Sequence, residues 1–296
     1  MHWGQDPVLE KHYVPSRSQR ARSVLTFFAQ DTGTHNLVYA SADLTKATQN
    51  REAIAFCDHW KAASGSDPKM LIMDQKVTTQ AVLGELDARG VKFATLRMRS
   101  ASLIKYINSL APGDYKTVTI DRPGPHNRPR VHEDPAVKLT SYPGTVRQLI
   151  VTGLGRDAPT VIITNDNQIK TRALIQQYAR RMTTGQRLAE IIQAFCADAL
   201  SSTVNLNVDL DIVLCVLAQA LLAAFRARLG PGYATAAPDT LQRRFLDTPG
   251  TITTDIDTIT VTLSRRAYSP VLRQSGLPAQ TTIPWWPNRS LRFRFD

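Results

Sequence analysis

Residues 69–98 constrain this chain more than any other stretch. A β-rich apolar run, Lys69-Met70-Leu71-Ile72-Met73, ends on Asp74. Thr78 or Thr79 then caps a helical pattern that stops at Gly90, and a second run, Lys92-Phe93-Ala94-Thr95-Leu96-Arg97, follows. A threonine hydroxyl accepts from the orphan N–H groups of a helix start, and glycine takes the left-handed turn that ends one. Two short strands joined by a helix pair in parallel, with the helix crossing one face of the sheet. The chain is therefore expected to be α/β. With 296 residues, 43% of them hydrophobic, it has material for one large domain or two smaller ones.

Other segments read less sharply. Residues 1–22 are polar, with Pro7, Pro15 and the basic run Arg17, Arg20 and Arg22, and read as an irregular arm. Residues 23–30 and 36–41 read as two strands around a turn at Asp31-Thr32-Gly33-Thr34. Ala53, Ile54, Phe56, Cys57 and Trp60 have helical spacing, which predicts a helix over 50–63. From about 100 to 160 the pattern changes. Residues 115–120 and 145–152 alternate like exposed strands around a loop rich in Pro, Arg and His, from Arg122 to His132.

A short strand is predicted over 161–164. Long helices follow over 169–182, continuing to 196, and over 208–228. The most apolar stretch, 212–225, is broken by Gln219 and too short to span a bilayer, so it reads as a buried core helix. In the tail, a short helix is predicted over 241–246 and a hairpin over 251–263, turning at Asp255-Ile256-Asp257. The alternation from Leu291 to Phe295 implies one buried strand face, and Trp285 and Trp286 are expected to pack on the core.

Lys and Arg number 36 against 25 Asp and Glu, a formal charge of +11. A polyanionic partner is favoured, with nucleic acid ahead of a membrane surface because the excess is largely arginine, which binds phosphate bidentately. Cys57, Cys196 and Cys215 form no CxxC pair and sit in apolar helical contexts, so they read as small buried hydrophobes in a reducing, cytoplasmic setting. No apolar signal-peptide core follows Met1-His2-Trp3-Gly4. His35, His59, His126 and His132 show no metal-ligand spacing.

The run Leu71-Ile72-Met73-Asp74-Gln75-Lys76-Val77-Thr78-Thr79-Gln80, with Leu83, Leu86, Gly90 and Phe93 after it, resembles the second-aspartate block of DDE insertion-sequence transposases. Tyr178-Ala179-Arg180-Arg181-Met182-Thr183-Thr184-Gly185 resembles that family's Y-x2-R-x3-E signature, with glycine in the glutamate position. Spacings of three, four and seven residues put these positions on one helical face. The C-terminal Ile283-Pro284-Trp285-Trp286 and Asn288-Arg289-Ser290-Leu291-Arg292 also look like tails of such bacterial mobile-element enzymes.

The resemblance implies an RNase H-like, retroviral-integrase-like core. It also implies Mg²⁺ or Mn²⁺ as cofactor, DNA (transposon ends and target) as partner, a homo-oligomer, and DNA recombination by phosphodiester cleavage and strand transfer. Two metal ions in such a site activate the nucleophile and stabilise the leaving oxygen, which requires clustered carboxylates. Asp74 would be the second acid and a metal ligand, while Tyr178 and Arg181 would contact DNA. Arg122, Arg128 and Arg130, which flank prolines, are further phosphate-contact candidates.

The sequence departs from that pattern twice. Gly185 replaces the third acid, and Glu190, five residues on, lies about 140° round the helix. The frame also needs three antiparallel strands before the first helix, and only two are counted. Asp31 ends a strand and is the candidate first acid within the chain. Strand counting favours a first strand, with its aspartate, lying upstream of Met1.

The expected domains are a basic arm (1–22), the first part of the core (23–100), a β-rich insertion (101–160), the helical second part of the core (161–230) and a C-terminal extension with a β-hairpin (231–296). Three functions remain open: a truncated or inactive transposase; a non-catalytic DNA-binding regulator derived from one; and an unrelated metal-dependent nuclease using Asp31 and Asp74 with Glu190 or Asp166. Arg17, Arg20 and Arg22 read equally as a solvated arm or as phosphate contacts.

Overall fold

The computed structural model describes residues 9–14, 18–121, 125–155, 158–199, 202, 204–286 and 289–295. The protein is mixed α/β and divides into two compact units, Met1–Gln186 with Leu200–Leu210, and Arg187–Ala199 with Asp211–Asp296.

The first unit begins with two antiparallel pairs. Strands β1 (Glu10–Val14) and β2 (Gln19–Ser23) form one hairpin, so the stretch read as an irregular arm contains regular structure. Its side chains are almost all polar, leaving no apolar alternation to read. Strands β3 (Leu25–Gln30) and β4 (Leu37–Leu44) form the second pair, with two register irregularities. Helix α1 (Glu52–Ser64) follows and packs on β4 through the edge-on rings of Tyr39 and Phe56.

Strand β5 (Met70–Ile72), helix α2 (Gln80–Ala88) and strand β6 (Lys92–Leu96) form the expected parallel crossover. Thr79 Oγ1 accepts from Val82 N at 3.3 Å to start α2, and Gly90 closes it at φ +77°. Helix α3 (Ala101–Ser109), capped by Ser100, comes next, then β7 (Lys116–Thr117), β8 (Arg130–Lys138), β9 (Thr145–Thr152) and β10 (Thr160–Thr164). One sheet results, in the order β5-β6-β10-β9-β8-β7, antiparallel except between β5 and β6. The strands of the β-rich stretch thus continue the sheet that β5 and β6 begin.

The strand over 145–152 is not exposed as its alternation suggested: six consecutive residues of β9, Val146 to Val151, are buried. Both faces of the sheet are covered, which removes the usual polar side. Val146, Phe93 and Ile163 pack with Cys57, Leu83 and Leu86 of α1 and α2, while Ile150 and Val161 meet Leu103 and Ile107 of α3. On the opposite face Leu149, Val151 and Ile162 pack under Leu174 and Ile175 of helix α4 (Thr171–Arg180).

Two helical glycines have opposite surroundings. A Cβ on Gly84, in α2, would lie 2.8 Å from Pro143 Cδ, whereas one on Gly185 would meet nothing within 4 Å. Gly84→Ala is therefore expected to destabilise by about 1–3 kcal/mol through overpacking, although alanine favours a helix. Gly185→Ala is expected to stabilise by roughly 0.5–1 kcal/mol. Thermal or urea unfolding of both variants reads the two signs.

Helices α5 (Met182–Phe195) and α6 (Asn205–Leu229) lead from the first unit into the second. The second unit adds helix α7 (Pro238–Leu241), running on into a helical turn at Gln242–Leu246, then strands β11 (Gly250–Thr254) and β12 (Thr258–Leu263) and helix α8 (Ser269–Gln274). Strands β13 (Gln280–Thr282) and β14 (Ser290–Phe295) complete a sheet ordered β11-β12-β14-β13, with β12 and β14 parallel. Its core gathers Leu229, Leu241, Phe245 and Leu272, with Phe225, Tyr233 and Tyr268 edge-on to Phe245.

Three expectations are corrected in this part of the chain. Trp285 and Trp286 are 77% and 47% exposed, so they do not pack on the core. Cys57 and Cys215 are buried but Cys196 is exposed, just past the end of α5 at φ +53°. Helix α6 is not the buried core helix its apolar sequence suggested: Val208, Ile212, Cys215 and Gln219 are buried along one face, while Leu210, Leu214, Leu217 and Leu221 are exposed.

Candidate functional site

Asp74 follows β5 in an extended conformation (φ −73°, ψ 152°) and opens a 3-10 turn without capping it. Its carboxylate instead accepts from Arg181 Nη1 at 3.1 Å. Arg181 sits where α4 passes into α5. Its N–H bonds Tyr178 O at 3.2 Å, tightening the helix by one residue, and Thr184 N–H returns to Arg181 O at 3.1 Å. The guanidinium lies 5.5 Å from the Tyr178 ring centroid, a cation–π distance. Tyr178 itself packs against the core beneath α4. One turn on, Thr184 Oγ1 donates to Gln30 Oε1 at 2.8 Å, at the end of β3. Successive turns of one helical segment therefore reach the ends of β3 and β5.

The structure thus brings together Asp74, Tyr178 and Arg181. Gly185 is exposed, with open space where a side chain would project. Asp74 is about half exposed, its side chain at 49%.

The other candidate acids are engaged elsewhere. Asp31 Oδ2 accepts from Thr34 N at 2.6 Å, Thr34 Oγ1 at 2.8 Å and Gly33 N at 3.2 Å, closing the β3–β4 turn. The Thr34 backbone N–H, reinforced by its hydroxyl, holds this carboxyl below the ordinary value of 3.8. Asp166 bonds Gln168 N at 2.9 Å and Ile169 N at 3.1 Å, a turn cap. Glu190, in the second unit, is paired with Arg187 at 2.8 Å and with Arg226. Among the described residues no group of three or more His, Cys, Asp or Glu could hold a metal ion.

A depressed folded-state pKa adds stability above the unfolded pKa and loses it as pH falls through the folded value. Asp31 should therefore contribute above about pH 4 and not below its own lowered pKa. Because the turn is exposed, screening keeps the charge effect well under about 1 kcal/mol. Asp31→Asn is expected to flatten the acid limb of the stability–pH curve slightly, a difference visible in denaturant midpoints between pH 3 and pH 6.

The basic candidates are dispersed. Arg130 donates to Pro112 O, and its guanidinium stands 5.5 Å from the Tyr115 ring centroid. Arg128 is exposed, whereas Arg122 and Arg17 lie outside the described residues.

Sequence reasoning left the face of the β1–β2 hairpin undecided. Lys11 pairs with Arg22 and Tyr13 with Arg20 across the strands, and all four are exposed. Positions two apart on one strand share a face, so three cations and a tyrosine lie side by side. Lys46 anchors this hairpin: its N–H bonds Glu10 Oε2 and its Nζ bonds Lys11 O, both at 2.7 Å.

A polar cluster on β8 was also missed. Asp134 accepts from Tyr106 OH at 2.6 Å and Gln148 Nε2 at 2.8 Å, with His132 Nε2 at 3.1 Å, beside an open groove of about 500 Å³. The Asp134 hydrogen bond pushes the Tyr106 hydroxyl up to about 12. The cluster is internally satisfied and reads as structural. Its signal was the two-residue spacing of His132 and Asp134, at the end of the stretch read as a loop and just beyond it.

No protein-family model matches the chain, and no curated protein matches it.

Proposed function

We propose that this protein binds duplex DNA through a transposase-like, RNase H-like core and does not cut it. The observation that carries this reading is the pairing of Asp74 with Arg181 at 3.1 Å, with Gly185 one turn beyond. A guanidinium gives Asp74 the positive neighbour that a divalent ion would otherwise provide, and the next helical turn offers no carboxylate. Mg²⁺ takes near-octahedral oxygen ligation and keeps several waters, so one half-exposed, arginine-paired carboxylate fits it poorly. The Mg²⁺ or Mn²⁺ implied by the resemblance does not match these residues.

The topology supports the RNase H-like part of the reading. An antiparallel pair, a helix, a strand, a helix and a strand parallel to the last occur in that order. Among the described residues no hydrogen-bonded ladder joins the β3–β4 pair to β5, which is where the sheet departs from an RNase H-like frame with a further strand between them. The formal charge of +11 and the exposed basic hairpin support DNA as the partner.

The test is anisotropy of a labelled duplex, titrated with the protein in EDTA and again in Mg²⁺. Equal, saturable binding in both is expected. A folded protein that ignores DNA, or that binds it only with metal, contradicts the reading.

A further inference from the structure

Helix α6 is covered on the wrong side for its sequence. Its buried face carries Val208, Ile212 and Cys215, but also Gln219 and Arg226. Its exposed face carries Leu206, Leu210, Val213, Leu214, Leu217 and Leu221, each 44–75% exposed. Exposed Ala224 and Ala227 prolong the face, and its first charge past Leu221 is Arg228. From Leu206 to Leu221 the stripe runs about 22 Å at 1.5 Å per residue. A contiguous apolar face of this size marks an interaction surface rather than scattered surface leucines.

We propose that this face docks the same face of a second copy of the chain, the two α6 helices lying antiparallel about Leu217. That register sets Leu210 opposite Ala224 and Leu214 opposite Ala220, large against small, with Val213 against Leu221 and Leu217 against itself. Charge selects the direction. Asp209 and Asp211 lie in the N-terminal half of α6, and Arg226 and Arg228 in its last turn. Antiparallel docking brings Arg228 to the acidic end of the partner helix and opposes the two helix dipoles. Parallel docking would stack arginine on arginine.

A two-fold pair buries the stripe twice, roughly 1,000 Å² in all, the lower bound for a specific interface. The same docking surface on both copies closes the assembly at two. Among the described residues α6 is also the helix long and apolar enough to cross a membrane. However, Arg226 within it is salt-bridged to Glu190, and Asp209 and Asp211 stand in its first half. Charges of this kind are costly in lipid, which favours a protein partner.

The experiment uses the full chain in sedimentation velocity across a concentration series reaching tens of micromolar, with Leu217→Lys alongside. A reversible dimer is expected. Its dissociation constant should rise at least about a hundredfold in Leu217→Lys, because the two-fold places two lysines together, while the circular-dichroism melt is retained. A wild-type monomer throughout the series overturns the proposal, as does a Leu217→Lys dimer of unchanged affinity. So does a monomer that floats with anionic phosphatidylserine vesicles and loses flotation in Leu217→Lys.

Cysteine cross-linking in a Cys196→Ser background tests the register even if Leu217→Lys misfolds. Leu217→Cys should cross-link to itself under mild oxidation and Leu206→Cys should not. Cross-linking at both positions, or at neither, contradicts antiparallel docking.

Discussion

Duplex DNA affinity is expected to fall by about a thousandfold or more between 50 mM and 200 mM salt, the loss that roughly six phosphate contacts produce. The basis is the excess of 36 Lys and Arg over 25 Asp and Glu, together with where some of it lies. Lys11, Arg20 and Arg22 share one exposed hairpin face, with Tyr13 among them at 61% exposure. Lys11 and Arg22 stand directly opposite each other, so a phosphate bound on this face would meet two cations at once. Arg20→Gln should therefore weaken binding to all sequences alike and lower the salt slope by about one. Plotting log affinity against log salt for the wild type and this variant gives both numbers. A flat wild-type line would remove DNA as an electrostatic partner.

Arg147→Ala is expected to cost about 2–4 kcal/mol, read as a shift of the urea midpoint at constant slope. Arg147 is 6% exposed on β9. It donates to Glu133 Oε1 at 2.8 Å, Ile169 O at 2.5 Å and Thr171 Oγ1 at 2.8 Å. One side chain thus ties two strands to the start of α4, the helix that carries Tyr178 toward Asp74. Removing it leaves a carboxylate and a carbonyl short of a partner in a partly buried place, which costs more than the lost bonds alone. Arg147→Lys should rescue little, since an ammonium cannot reproduce the three-way fork.

Local signals were legible where a cap and a stop both stood in the sequence. Thr79 and Gly90 bracket α2, and the parallel β5–β6 pair follows from that helix. Helix α3 carried a signal too, Ser100 followed by Leu103 and Ile107 one turn apart, yet it lay in a stretch whose strands dominated the pattern. Strand β8 was not expected: its first residues fell in the stretch read as a loop, Arg122 to His132, and Pro135 interrupts the rest of Arg130–Lys138. The structure accommodates the proline where the register shifts between Asp134 and Val137, the place a strand tolerates it.

At the site, the order of Asp74, Tyr178 and Arg181 was readable. The ion pair was not, because it spans 107 residues and depends on α4 settling over the sheet. The commitment of Asp31 to its own turn was equally invisible, since any aspartate after a strand could serve as ligand or cap.

The most direct test of binding without cutting is Mn²⁺-dependent nicking of supercoiled DNA by the chain as it stands, with Gly185→Glu and with Gly185→Glu carrying Asp74→Ala. Circular dichroism first confirms that all three are folded. The unaltered chain should shift the plasmid and leave it supercoiled. Nicking confined to Gly185→Glu, and lost when Asp74 is also removed, would mark Gly185 as the vacated acid position and keep the account intact. Nicking by the unaltered chain, abolished by Asp74→Ala in that same background, would contradict it.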